Sequence, residues 1–184
     1  MKYIELTKSK LNEKYNDMKL RCTNTYWKNH EWYKNTKMCD EWKYNMYSFY
    51  DWVNDGQFYT IEGEKSVHLD KDILGRVTGK EKLYSPETCL FVPASINTFF
   101  GGTSGNTNGV PIGVEKIPDT NKYKVSNKAF KINDIFDTPE KAWECWREHK
   151  EAQKIAIADK YYNQNLIPKK VYDAIMRYEF RITD

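Results

Sequence analysis

Three polar side chains set close together, His68, Asp70 and Asp72, open the part of this chain best suited to chemistry on phosphate. They belong to HLDKDILGRVTGKEKLYSPETCLFVPASIN, which runs from His68 to Asn97. Cutting a phosphodiester needs an activated water and a cation on the scissile phosphate and leaving oxygen. An Asp at a strand end can hold the cation, because Mg²⁺ prefers oxygen ligands. Asn97 can add a ligand or orient one. Two short β-like runs, Ser66–Leu69 and Leu90–Val92, bracket a turn-rich loop, and a short segment carrying Ile96 and Asn97 follows. Strand alternation puts His68 and Asp70 on one face and Lys71 on the other. His68 is then a general base, a metal ligand or simply exposed. The alternative for Asp70 and Asp72 is a solvated turn with local hydrogen bonds.

This order resembles the core of the HNH nucleases, a β-hairpin followed by a helix around one divalent metal. It looks most like the HNH-like proteins of phages and mobile elements. Their pattern is an acidic LDKD step, a short loop, Y-S-P-E-x-C and a closing Asn, matched here over about thirty residues. In that family a histidine directly after the Asp activates the water, and Lys71 stands in its place here. A protonated lysine is a poor general base unless strongly desolvated. If the chain cuts DNA, the catalytic set is His68, Asp70 and Asn97, with Mg²⁺. If Lys71 marks a lost base, the scaffold has kept its shape and acts by binding. For a phage-like protein one such use is blocking a host defence nuclease, as anti-CRISPR proteins do.

The chain has four cysteines and no CxxC pair. Its N-terminus, MKYIELTKSKLNEKYNDMKL, lacks the apolar core of a signal peptide. The expected setting is a cytoplasm, that of a host cell, where cysteines are reduced or metal-bound more often than disulfide-bonded. Leu20-Arg21-Cys22, Met38-Cys39-Asp40-Glu41-Trp42 and Pro86-Glu87-Thr88-Cys89 match the RC, VC-x-x-W and P-E-x-C positions of the same family. The resemblance implies that Cys22, Cys39 and Cys89 converge. Three thiolates with one further ligand make a closed, tetrahedral structural zinc site. His30 or His68 supplies that ligand, and His30 is preferred because it lies between Cys22 and Cys39. The alternative is three separate buried cysteines. Cys145 falls in a helical segment and reads as core.

A length of 184 residues allows one ordinary domain or two small ones. The net charge of +3 permits contact with nucleic acid and argues against an acidic DNA mimic. No run approaches the ~20 apolar residues of a membrane helix, so no membrane partner is expected. The 14 Tyr and 6 Trp build a core, an interface or a base-stacking surface. Trp27 and Tyr33 are candidate interface anchors.

The elements that must position the site follow from periodicity and punctuation. Ser9 is a candidate cap for a helix with Leu11, Tyr15, Met18 and Leu20 as apolar positions. Trp42, Met46, Phe49, Tyr50 and Val53 follow helical spacing, and Gly56 is a stop. GGTSGNTNGV, residues 101–110, reads as a linker. Beyond it, Ile112–Ile117, Lys122–Ser126 and Ala129–Ile135 are strand-like. Thr138-Pro139-Glu140 starts a helix, with a capping side chain, Pro in the first turn and an early acid. Its buried face includes Ala142, Trp143, Trp146 and Ala152. Pro168 opens a last helix with Val171, Tyr172, Ile175 and Met176 on one side, which caps a core or forms a dimer contact.

Three strands and a packed helix resemble the ethylene-response-factor type of DNA-binding domain. The matches are the PIGV start, N-K-Y-K-V and F-D-T-P-E-K-A. The resemblance implies DNA contact through this sheet, whose cations are Lys116, Lys122, Lys124, Lys128 and Lys131. Lysines contact phosphate, whereas bidentate base reading favours arginine. An ordinary solvated sheet face is the alternative.

The expected fold is α+β. A zinc-stabilised HNH-like ββα core with N-terminal helices occupies 1–100. A flexible linker spans 101–110. A DNA-binding-like domain, a three-stranded antiparallel sheet on a helix followed by a C-terminal helix, occupies 111–184. The expected partner is DNA or a nucleic-acid-processing protein such as a CRISPR effector nuclease.

Overall fold

Polar caps and positive-φ turns cut the first sixty residues into short elements. The structure, a computed structural model, describes residues 1–64, 66–101, 109–125 and 134–183. In chain order it contains β1 (Lys2–Tyr3), α1 (Lys8–Arg21), α2 (Asn24–Trp27), a 3₁₀ turn (Glu31–Tyr33), β2 (Lys37–Met38), α3 (Asp40–Tyr44), α4 (Met46–Asn54) and β3 (Tyr59–Thr60). Then come β4 (Val67–Asp70), α5 (Asp72–Thr78), β5 (Leu83–Tyr84), β6 (Leu90–Pro93) and α6 (Ala94–Phe100). The last part holds β7 (Val114–Lys116), β8 (Tyr123–Val125), β9 (Ile135–Phe136), α7 (Pro139–Asn163) and α8 (Lys169–Arg177). The fold is α+β, as the sequence leads one to expect.

Several local features depart from the sequence reading. Helix α1 is capped at Thr7, two residues before Ser9, because Leu11 N–H already closes on the Thr7 carbonyl at 3.0 Å. The aromatic stripe 42–53 is two helices rather than one. Asn45 takes an extended conformation, and its side-chain oxygen accepts from Tyr47 N–H to start α4. The loop between the paired strands contains helix α5. On α7 the buried positions are Ala142, Trp146, Lys154, Ala158 and Tyr161. This stripe drifts around the helix as 3.6-residue turns accumulate, leaving Trp143 half-buried and Ala152 exposed. Lys154 enters the core because its Nζ donates to the Tyr178 carbonyl at 2.6 Å and pairs with Glu151 at 2.5 Å.

Two clusters hold the fold. One gathers Tyr15, Met18, Trp42, Phe49 and Val53 from the N-terminal helices with Tyr84, Cys89 and Phe91. At about 1.5–3 kcal/mol for each large side chain fully buried, this cluster alone outweighs the short two-residue strands around it. The other joins Ile73, Leu90, Val92 and Ile96 to Ile112, Val125, Trp146, Ile167, Val171, Ile175 and Phe180. Elements before and after the expected linker therefore share one core, with α8 closing it. Residues 102–108 of that linker, and most of the Ala129–Ile135 run, lie outside the described residues. Strands β7, β8 and β9 form an antiparallel sheet packed on α7.

Candidate functional site

Strands β4 and β6 pair antiparallel, with His68 opposite Val92 and Asp70 opposite Leu90. Helix α6 follows β6 without a gap and packs back on both strands. The sequence order becomes two paired strands and a helix, and His68, Asp70 and Asn97 line one cleft of about 760 Å³.

Asp70 is 8% exposed. Its Oδ1 accepts from the backbone N–H groups of Asp72 and Ile73, at 3.0 and 2.8 Å, and so caps α5. The local hydrogen bonds of a turn are present, with its Asp70 end buried and Asp72 exposed to solvent. No hydrogen bond reaches Asp70 Oδ2 among the described residues, and Asp70 lines the cleft. Burial, and then the Asp72 charge, push the Asp70 carboxyl well above the usual carboxylate range.

Lys71 does not face away from Asp70. The strand ends at Asp70, so alternation no longer applies, and Lys71 turns into the αR region at φ −115°, ψ −11°. Its side chain is 4% exposed and lines the same cleft. Its ammonium is fixed by Asp72 and sits over the rings of Tyr33 and Tyr84, 5.0 and 5.4 Å from their centroids. His68 is exposed, and its Nε2 is 2.8 Å from Ser66 Oγ. Partial burial, and then the Lys14 and Arg21 charges, lower the His68 pKa and disfavour the imidazolium.

The sequence reading missed the rest of the cleft. Lys14, Asp17 and Arg21 come from α1, Arg76 from α5, and Lys82, Tyr84, Phe100 and Tyr178 from later segments. The spacing of 14, 17 and 21 was a usable signal, since i, i+3 and i+7 share a helix face. What sequence lacks is the packing that turns this face toward β4. Trp32, 65% exposed, is the exposed one among the Trp, Tyr and Phe side chains that line the cleft. Trp27 is half-buried, its Nε1 donating to the Arg21 carbonyl at 2.9 Å. Tyr33 is half-buried under Arg21 and Lys71.

The Y-S-P-E-T-C segment is architectural. Thr88 is fully buried; its hydroxyl accepts from Ser85 N–H at 3.1 Å and donates to the Leu83 carbonyl at 2.5 Å. Cys89 N–H folds back on the Ser85 carbonyl, and Cys39 N–H donates to the Tyr84 carbonyl through the parallel β2–β5 pair. Cys22, Cys39 and Cys89 thus meet the same N-terminal core cluster. Burial pushes the Cys22 thiol up to about 11 and raises those of Cys39 and Cys89 too. Among the described residues, no three His, Cys, Asp or Glu side chains lie close enough to hold a metal ion. His30 stacks on Tyr26 at 4.1 Å, and its buried Nδ1 has no hydrogen-bond partner among the described residues.

On the three-stranded sheet, Lys122 pairs with Asp137 and Lys124 with Glu115. Lys116 is exposed. Lys128 and Lys131 lie outside the described residues. No helix among the described residues is long and apolar enough to cross a membrane. Comparison with protein-family models, curated proteins and solved structures returns no match.

Proposed function

We propose that this chain is an HNH-like protein that binds nucleic-acid phosphate in the His68–Asp70–Asn97 cleft and does not cut it. The carrying observation is Lys71. Where the resemblance places the water-activating base, an ammonium is fixed by Asp72 over two tyrosine rings. A cation held this way offers no lone pair to take a proton from water. Asp70 and Asn97 line the cleft for a divalent cation, and Lys14, Arg21 and Lys82, which meet no carboxylate at ion-pair distance among the described residues, line it for phosphate. In this proposal a structural zinc on Cys22, Cys39 and Cys89, closed by His30, completes the N-terminal half. It is supported by the shared cluster of the three thiols and by the orphaned His30 Nδ1. Zinc there would supply cross-linking of the short elements, not chemistry.

The paired lysines of the three-stranded sheet shift the phosphate contacts toward the cleft. The resemblance extends the reading to a protein partner, a defence enzyme such as a CRISPR effector nuclease. The chemistry of the cleft speaks for phosphate and does not select that enzyme.

A second reading is an active Mg²⁺-dependent endonuclease with His68 as base. Its support is His68, whose charged form burial and the nearby cations disfavour, on the same cleft as Asp70. A plasmid-nicking assay with Mg²⁺ or Mn²⁺ separates the two. No nicking, together with salt-sensitive binding that Arg21→Ala weakens more than Lys116→Ala, supports the binder. Nicking abolished by both His68→Ala and Asp70→Ala installs the enzyme.

A further inference from the structure

Trp32 is 65% exposed and still lines the cleft. It is held rather than loose. The 3₁₀ turn around it closes through Tyr33 N–H to the His30 carbonyl and Lys34 N–H to the Glu31 carbonyl, both at 2.9 Å. The His30 ring, itself stacked on Tyr26, makes a T-shaped pair with the indole at 5.2 Å between ring centres, and Tyr33 lies at 6.3 Å. An indole propped on this aromatic base presents its remaining surface to solvent at the cleft mouth. Its rigidity lowers the ordering cost of a stacked ligand.

The charges inside the cleft fit the same ligand. Lys14, Arg21 and Lys82 have no carboxylate within ion-pair distance among the described residues, whereas Lys71 is paired with Asp72 and Arg76 with Glu81. The floor is deep: Asp70 is 8% and Lys71 3% exposed. A phosphate that reaches the floor must enter the cleft with its strand. Duplex DNA keeps its bases stacked inside and offers none to Trp32, whereas an unpaired strand presents phosphate and a base face together.

We propose that the cleft takes single-stranded nucleic acid, with a base stacked on Trp32 and its phosphate on Lys14 and Arg21. This rests on the phosphate-binding reading above and narrows it to unpaired strands. The stacking and phosphate contacts are common to DNA and RNA.

The test is fluorescence anisotropy with labelled oligo-dT, oligo-rU and a random duplex of equal length, across a salt series, on the full chain. Either single strand is expected to bind roughly tenfold tighter than duplex. Trp32→Ala should cost the single strand roughly tenfold, the scale of one base–aromatic stack, and leave duplex binding unchanged. Trp32→Phe should keep most of the affinity. A 2-aminopurine in the single strand should be quenched on binding wild type, which gives a readout that needs no variant. The arm that binds tighter, dT or rU, names the natural class. Equal binding of duplex and single strand, or a Trp32→Ala protein that binds single strand as wild type does, overturns the stacking inference. In that case a loss on Arg21→Ala still supports the phosphate cleft. No salt-sensitive binding of any oligonucleotide overturns both.

Discussion

Lys71 Nζ donates to both carboxylate oxygens of Asp72, each at 2.7 Å, while Asp70 on its other side turns back onto the N–H groups of Asp72 and Ile73. The two aspartates of the D-K-D step therefore have different jobs. Asp70 is a buried cap that also lines the cleft. Asp72, with a side chain 61% exposed, is the counter-ion that fixes Lys71.

This asymmetry sets the cost of removing Lys71. Once the ammonium is gone, Asp72 is left to water, so the pair itself contributes about 0–1 kcal/mol. The stem of Lys71 is packed, and its loss costs more. Lys71→Met is expected within about 1 kcal/mol of wild type. Lys71→Ala is expected to fall about 1–2 kcal/mol lower, from lost packing. Urea unfolding measures both. A loss above about 3 kcal/mol for Lys71→Met would mean a buried pair whose breakage strands a charge.

Asp70 carries the pH dependence. Its carboxyl is held above the value of an unfolded Asp, about 3.9, chiefly by burial and then by Asp72. The fold favours the neutral form. That stabilisation is full below the unfolded value and is lost as pH rises through the raised one. In chelated buffer the wild type should lose stability as pH rises from about 4 into the neutral range. Asp70→Asn keeps an amide oxygen for the Asp72 and Ile73 N–H groups, so it should stay level and end above wild type at pH 8. Adding Mn²⁺ at pH 8 should raise the melting temperature of wild type and not of Asp70→Asn. Parallel pH profiles for the two proteins would reject this account.

The parts legible in sequence were those with a local cause. Alternation and flanking turns placed β4 and β6, and Thr138 with Pro139 placed the start of α7, where the Thr138 hydroxyl accepts from Lys141 N–H at 3.3 Å. The aromatic stripe 42–53 was core, though Asn45 broke it. Asp70 and Asn97 line one cleft because α6 directly follows β6, the strand paired with β4. The cations Lys14 and Arg21 and the indole of Trp32 were not legible. They reach the cleft by long-range packing of α1 and the 3₁₀ turn, which no local pattern encodes. Lys154 was illegible for the same reason, since its partner, the Tyr178 carbonyl, lies 24 residues away.

Zinc gives the next prediction. Purified protein should carry a single zinc ion per chain by elemental analysis, and a chelator should lower its melting temperature, because metal-binding energy at such sites is folding energy. Cys22→Ser and Cys39→Ser should each lose metal and stability together. Cys145→Ser should change neither, because Cys145 belongs to α7 and packs in the other core cluster. Metal-free protein whose melting ignores chelator, with Cys39→Ser as stable as wild type, would remove zinc from the account.

Gly113 tests how β7 is seated on α7. Its φ of +76° is a conformation that a side chain adopts only with strain, and a Cβ there would fall inside the Trp146 indole. Trp146 is 2% exposed and has no room to retreat. Gly79 also has positive φ, at +70°, yet a Cβ there meets nothing within 4 Å. Comparing the two separates backbone strain from packing. Gly79→Ala should cost about 1 kcal/mol, the backbone strain alone. Gly113→Ala should cost that plus about 1–3 kcal/mol of overpacking. Combining Gly113→Ala with Trp146→Leu should recover part of the second cost, since contacting residues couple. Thermal or urea unfolding of the four proteins reads this directly. Equal losses at Gly79 and Gly113 would mean that Trp146 does not press on the chain at the start of β7.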